Sequence, residues 1–212
     1  MNGLFITFEG PEGAGKTTQI GLLAERLRAM GRDVVTTREP GGTPAGEAIR
    51  HLIQHDAAGE DLCPEAETLL FEASRAQLVQ RVIRPAIDRG AIVLCDRFAD
   101  STTVYQGYGR GFDVDVLMGL HQFAVAGVWP VLTLLLDLDV EEGFRRIRQR
   151  HTGVGDGLDR MERESMLFHT RVTEGFRDLA KRWPERFRRI EAAAPVAAVH
   201  EAVWSQVREV LS

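Results

Sequence analysis

An apolar run, Leu4-Phe5-Ile6-Thr7-Phe8, leads directly into Gly10-Pro11-Glu12-Gly13-Ala14-Gly15-Lys16-Thr17. Gly, four residues, then Gly-Lys-Thr is a phosphate-loop pattern, which works only between a buried strand and a helix. Both are present, because residues 18–30 carry helical patterning. The glycines let the backbone curl until successive N–H groups face one anion, and the dipole of the following helix adds to the attraction. Lys16 is expected to reach the outer phosphates and the Thr17 hydroxyl to ligate Mg²⁺. The chain is therefore expected to hold a nucleotide by its phosphates.

Four more segments read as buried parallel strands, at 33–37, 91–95, 131–136 and, more weakly, 187–190. Helical patterns lie between them, at 43–54, 64–89 with Pro85 as a kink site, 113–126 and 199–211. Alternating strands and helices close into a parallel sheet with right-handed crossovers. The expected fold is an α/β three-layer sandwich, a parallel five-stranded sheet with helices on both faces. At 212 residues the default is a single domain, 1–212.

With 26 basic against 31 acidic residues the net charge is −5, which argues against a general nucleic-acid or membrane-surface binder. An anionic ligand must then meet local positive charge. Cys63 and Cys95 have neither metal-ligand spacing nor the density of a disulfide scaffold, so a reducing cytoplasm is expected. No leader opens the sequence and no apolar run approaches about 18 residues, the reading of a soluble, unexported protein.

Residues 151–157, His-Thr-Gly-Val-Gly-Asp-Gly, form a glycine-rich stretch flanked by Arg145, Arg146, Arg148, Arg150, Arg160 and Arg163. A charge run of this kind is ordinarily a solvated helix face. Beside a phosphate loop it also suits a lid, about 148–160, that carries arginines onto a ligand as it closes.

Three clusters bear on the second substrate. Thr37-Arg38-Glu39-Pro40-Gly41-Gly42-Thr43 sits at the expected C-terminal end of the second strand, where Arg38 is either a fork for a phosphate or part of an ordinary turn. Asp96-Arg97-Phe98 follows the third strand; it is a Mg²⁺ ligand opposite Thr17 with an anion grip beside it, or a strand-end ion pair. Phe71 and Arg75, four apart, share a helix face and suit stacking and hydrogen bonding to a base, although Phe71 alone would more often be core.

Together, Glu9-Gly10-Pro11-Glu12-Gly13-Ala14-Gly15-Lys16-Thr17-Thr18, the Thr37 to Thr43 run and Asp96-Arg97-Phe98-Ala99-Asp100-Ser101-Thr102-Thr103-Val104-Tyr105-Gln106 resemble the bacterial thymidylate (dTMP) kinases, nearly end to end. The resemblance implies a P-loop NTPase fold of the nucleoside monophosphate kinase type, the reaction ATP + dTMP to ADP + dTDP with Mg²⁺, and a homodimer. It implies that Gly10, Pro11, Glu12, Gly13, Ala14, Gly15, Lys16, Thr17 and Thr18 bind ATP, and that Thr17 and Asp96 hold the metal. Arg38 and Arg97 would take the dTMP phosphate. Phe71 would stack on thymine, Arg75 and Thr102 would bond its polar edge, Tyr105 would crowd the sugar 2′ position, Glu12 would meet the 3′-hydroxyl, and Ser101 would also belong to the dTMP-binding set. Lys16, Arg97 and a lid arginine would be catalytic. Some relatives carry an arginine in the loop itself; this loop has none, and Leu158-Asp159-Arg160 resembles the lid motif of the type that lacks it. Arg160 is therefore the expected lid arginine, with Arg148 and Arg150 as helpers. The stretch at 152–157 is longer than usual before that motif.

Three other readings stand beside this one, the first a catalytically silent structural homologue, which intact Lys16, Thr17, Asp96 and Arg97 oppose. A kinase for a different monophosphate is opposed by Phe71, Arg75 and Tyr105. A nucleotide-binding regulatory switch is opposed by the absence of an Asn-Lys-x-Asp run and by arginines that it would leave without a purpose.

Overall fold

The computed structural model describes residues 3–54, 59–150 and 164–211. In chain order the elements are β1 (Leu4–Glu9), α1 (Lys16–Ala29), β2 (Val34–Arg38), α2 (Pro44–Gln54), α3 (Pro64–Leu78), a π-helical turn (Val79–Ile83) and α4 (Arg84–Asp88). Then follow β3 (Ile92–Asp96), α5 (Ala99–Thr102), a second π-helical turn (Thr103–Gly109), α6 (Val114–Val125), β4 (Leu132–Asp137), α7 (Val140–Arg150), α8 (Met166–Arg182), β5 (Phe187–Glu191) and α9 (Val196–Val210). The five strands form one parallel sheet in the order β2-β3-β1-β4-β5.

The central strands β1, β3 and β4 read as apolar runs because both their faces are covered, whereas the edge strands β2 and β5 alternate buried and open positions. Alternation assigns each side chain to a face. Ile6, Phe8, Ile92, Leu94, Leu134 and Leu136 join Leu23 and Leu27 of α1 and Val203 and Val207 of α9 in one core layer. Phe5, Val93 and Cys95 point the other way, onto Leu78, Ile83, Ala86 and Phe98. Toward the β4 side, Leu135 packs with Val104, Phe168, Val172 and Phe176. The expected three-layer sandwich is the observed one.

The predicted single helix at 64–89 is interrupted, as Pro85 requires. A proline lacks the N–H for its own turn and its ring collides with the carbonyl four residues back. The widened turn ahead of it, in which the Arg84 N–H bonds the Val79 carbonyl, takes up the distortion. Residues 99–109, read from sequence only as a motif, are helical throughout, four of them in α5 and seven in the second π turn. The last helix begins at Val196, three residues before its expected start.

The sheet order positions the site. β1 pairs with β3 on one side and β4 on the other, so the chain leaves in opposite directions from the two sides of β1, and ligands of open α/β sheets bind at the strand C-termini there. The loops after β1, β2 and β3 all emerge at that edge, with Arg38 paired in register to Asp96 and Asp96 to Phe8. Among the described residues no helix is long and apolar enough to cross a membrane. Cys63 and Cys95 are both free thiols.

Candidate active site

The three loops enclose a cleft of about 450 Å³. Its lining includes Glu12, Gly13, Gly15, Lys16, Thr17 and Thr18 from the phosphate loop and the start of α1, Asp96 and Arg97 after β3, and Arg38 at the end of β2. Phe71, Arg75, Ser101, Thr102 and Tyr105 complete the expected second-substrate set. Gly10, Pro11 and Ala14 are not on its wall. The Gly10 and Pro11 carbonyls instead accept from Lys16 Nζ, at 3.1 and 3.0 Å, and Ala14 is buried in the core. Arg160 and most of the expected lid lie outside the described residues.

At one end of the cleft the Thr17 hydroxyl donates to Asp96 Oδ2 at 2.8 Å. Two residues 79 apart in sequence thus present hard oxygen ligands side by side, the donor type that Mg²⁺ takes in small numbers beside phosphate oxygens. Burial, followed by the Arg97 charge, presses the Lys16 ammonium below its ordinary pKa against the pull of Glu12, Asp96 and Glu9.

Arg97 organises the middle. Its backbone adopts φ 66°, a left-handed conformation that costs a non-glycine residue roughly 1–2 kcal/mol. Its N–H still bonds the Phe8 carbonyl, so the turn stays tied to β1 while the side chain swings over the loop. Nη1 donates to the Gly10 carbonyl (3.1 Å) and Ser101 Oγ (3.0 Å); Nη2 donates to Glu12 Oε1 (2.6 Å) and the Tyr105 hydroxyl oxygen (3.1 Å). The Tyr105 hydroxyl in turn donates to Glu12 Oε1 at 3.0 Å. Burial alone would raise the Glu12 pKa, but Arg97, Lys16 and Tyr105 hold it down at about 2. Burial works against the Arg97 charge, and Glu12 with its neighbours more than restores it.

Beneath this pair sits a residue that sequence reasoning did not assign. Glu9, at the end of β1 and fully buried, accepts from the Phe98 N–H at 2.7 Å and from the Ser101 hydroxyl at 2.6 Å. It therefore fixes the Ser101 oxygen on which Arg97 rests. Burial first, and the Asp100 charge second, push its pKa up to about 8. Asp100 is itself clamped by Arg186, with two contacts of 2.7 Å.

At the far end, Arg38 is half-exposed and paired with Glu47 at 2.8 Å. Phe71 is half-buried and lines the cleft wall. Arg75 is buried, gripped by Glu39 Oε2 through Nε (2.9 Å) and Nη2 (2.7 Å), by Glu72 through Nη1, and by Thr102 Oγ1 at 2.8 Å. Burial pushes the Glu39 pKa up to about 7 even against the Arg75 charge.

Other wall residues were not singled out from sequence: Arg50, Ile53 and Gln54 of α2, Gln106, and Arg146 and Ile147 of α7. Arg146 was visible only as one of a basic run. The structure bends it back, with Nη2 donating to the Ala192 carbonyl at 3.1 Å and Nη1 reaching the Gly13 carbonyl at 3.5 Å. Nothing local in the sequence marks α2 as a wall, since that depends on its packing against α3.

This arrangement of loop, acidic residue and arginines has close relatives. A thymidylate kinase family model matches residues 8–203. The thymidylate kinase of Thermomicrobium roseum is 51% identical over 207 residues, spanning 98% of this chain and 95% of that protein. That of Deinococcus radiodurans is 47% identical over 207 residues, 98% of this chain and 97% of the relative. A crystal structure of thymidylate kinase from Ehrlichia chaffeensis superposes with a TM-score of 0.78 at 36% identity, covering 98% of this chain and 99% of that one. The chain belongs to the thymidylate kinase family.

Proposed function

We propose that this protein transfers the γ-phosphoryl group of ATP directly to the phosphate of dTMP, giving dTDP. The observation that carries the reading is that a phosphate loop and an arginine-rich acceptor wall share one cleft, with Lys16, Thr17 and Asp96 at one end and Arg97, Phe71 and Arg75 beyond. Family membership adds support, since the relatives above are named for this activity.

A phosphate monoester has a second pKa of about 6, so the dTMP phosphate is largely dianionic near neutrality and needs no general base. What opposes transfer is the approach of two anions. The remedy is positioning and positive charge, supplied here by Lys16 on the donor side and by Arg97 and Arg38 on the acceptor side. Thr17 and Asp96 would hold Mg²⁺, which when bound neutralises charge on the ATP phosphates. Arg97 is held in place by Glu12, Ser101 and Tyr105, so it would meet the acceptor phosphate without first having to be ordered. Phe71 would stack on the base, Arg75 and Thr102 bond its polar edge, and Tyr105 exclude a 2′-hydroxyl. Arg160 remains the proposed lid arginine. We further read the working unit as a cytoplasmic homodimer, which the exposed apolar Val116 and Phe123 on α6 favour.

ADP release from Mg-ATP with dTMP, dUMP, dCMP, dGMP, AMP or no acceptor, each with and without EDTA, tests the reading. Strong EDTA-sensitive turnover with dTMP and weaker turnover with dUMP is expected, because a single methyl is worth only about 1–3 kcal/mol of discrimination. Preference for another monophosphate would discard the base-pocket roles. Absence of acceptor-dependent turnover would discard the kinase.

A further inference from the structure

Arg75 has five N–H donors. Four are engaged: Nε–H and one Nη2–H on Glu39, the other Nη2–H on Thr102, and one Nη1–H on Glu72. Among the described residues no hydrogen-bond partner takes the second N–H on Nη1. A single carboxylate would neutralise the guanidinium, and burying a second one is costly. What the second adds is direction: Glu39 holds the Nε and Nη2 edge and Glu72 holds Nη1, so the plane of the group is fixed from both sides.

Glu72 does not stand alone. His121 of α6 has no exposed surface; its Nδ1 lies 2.8 Å from Glu72 Oε1 and its Nε2 lies 2.9 Å from Thr103 Oγ1. Neither Glu72 nor His121 lines the cleft. A carboxylate oxygen only accepts, so Nδ1 carries the hydrogen toward Glu72. Burial lowers the imidazole pKa, which leaves Nε2 as the acceptor. The Thr103 hydroxyl then turns to Nε2 in preference to the Ala99 carbonyl, 3.2 Å away. The result is a connected chain from Thr103 through His121 to Glu72, where the His121 N–H and an Arg75 N–H converge as donors on one oxygen, running from the π turn through α6 to the base end of the cleft. Among the described residues Glu72 Oε2 has no hydrogen-bond partner, so Glu72 is oriented by what meets Oε1 alone, Arg75 and His121.

We propose that Glu72 and His121 are positioning residues that aim the remaining Arg75 N–H at the acceptor base, so that base choice in this cleft is set in part from α6. The proposal rests on the dTMP kinase reading above and deepens it. An N–H donor fixed in direction rewards a carbonyl on the pyrimidine and penalises an amino group at the same place, because two donors would then face each other.

Steady-state kinetics of His121→Leu, His121→Gln and Thr103→Val, each with dTMP and dCMP at saturating ATP and with ATP varied, provide the test. His121→Leu is expected to raise the dTMP KM about tenfold and to narrow the dTMP over dCMP ratio of kcat/KM, with the ATP KM within about twofold of wild type. Thr103→Val, which keeps shape and removes the hydroxyl, is expected to move the same two quantities less. His121→Gln, which can still donate to Glu72, is expected to recover most of the loss. If His121→Leu does not fold, Thr103→Val carries the same comparison. An unchanged dTMP KM and base ratio in a folded variant overturns the proposal, as does a uniform loss in kcat with a parallel rise in the ATP KM. A wild-type protein without dTMP-dependent turnover overturns the kinase reading and this inference with it, whereas wild-type turnover with indifferent variants overturns the inference alone.

Discussion

Gly13 in the phosphate loop and Gly143 in the first turn of α7 are packed backbone to backbone. A Cβ on Gly13 would stand 2.6 Å from the Gly143 carbonyl oxygen, and a Cβ on Gly143 would stand 2.6 Å from the Glu12 carbonyl oxygen. Gly13 also needs its φ of 75°, whereas Gly143 sits within a helix and is glycine for space alone. Helix α7 therefore rests directly on the proposed phosphate loop, and Arg146, one turn further on, reaches the Gly13 carbonyl.

Gly143→Ala follows as a clean probe of that contact. The added methyl suits a helix, so the cost lies in lifting α7 off the loop, about 1–3 kcal/mol for overpacking of this kind. The ATP KM is expected to rise several-fold while the dTMP KM stays within about twofold. Thermal melting and kinetics with each substrate varied would check both halves. An equal rise in both constants would show that the contact serves the whole cleft and is not confined to the donor end.

Arg38 gives the opposite balance of stability and function. Its partner Glu47 is, like itself, about half-exposed, and such pairs contribute only about 0–1 kcal/mol. Arg38→Ala is therefore expected to melt within a few degrees of wild type. The same change removes a cation from the acceptor wall, so the dTMP KM should rise roughly tenfold or more. A preserved KM would take Arg38 out of the acceptor site and return it to the ordinary turn.

Tyr105 requires two substitutions, because its ring and its hydroxyl have separate partners. The ring packs edge-on to Phe168 and Phe176, so Tyr105→Ala is expected to cost about 3–5 kcal/mol besides admitting a ribosyl acceptor. Tyr105→Phe keeps the ring and removes the hydroxyl shared by Glu12 and Arg97. Its stability loss should be near 1 kcal/mol. Activity on ribosyl-TMP should appear with Ala and not with Phe; a gain with both would mean that the hydroxyl, and not ring bulk, reads the sugar.

Legibility in the sequence followed the range of the interactions. The strands were each readable to within about one residue: burial on both faces leaves unbroken apolar runs in β1, β3 and β4, while the edge strand β5, with two arginines among its five residues, gave the weaker signal. The phosphate loop and the Asp96-Arg97 turn were equally plain, since each is a contiguous motif, and Phe71 with Arg75 follows from helical spacing. Glu9 was within the quoted motif and yet carried no role, because its partners Phe98 and Ser101 are about ninety residues away and meet it only once β1 and β3 pair. Arg146 is indistinguishable in sequence from Arg145, and both guanidinium groups bond Glu142; only the approach of α7 to the loop carries Arg146 on to the Gly13 and Ala192 carbonyls as well. Residues 99–109 lack the spacing of an α-helix because the last seven of them, Thr103–Gly109, wind in a wider turn.

Glu9 makes a prediction in pH. A carboxyl whose folded pKa lies above its unfolded value binds its proton more tightly in the fold. With the ordinary value at 4.5 and the folded value at about 8, the associated stability is complete below about 4.5 and is lost as pH rises through about 8. Glu39, pushed to about 7, drains in the same direction, while Glu12, held at about 2, loses its contribution only as pH falls from 4.5 toward 2. Glu9→Gln removes one titration and leaves the others. Its amide oxygen can still accept from the Phe98 N–H, but its NH₂ must donate to Ser101, which turns that hydroxyl away from its present partner. Melting temperatures between about pH 5 and pH 8 are thus expected to fall less steeply in Glu9→Gln than in wild type, and a residual slope from Glu39 should persist. Because Ser101 Oγ also supports Arg97, the dTMP KM should rise a few-fold at every pH. Parallel melting curves for the two proteins would show that Glu9 is ionised in the fold and that Asp100 and burial do not hold its proton.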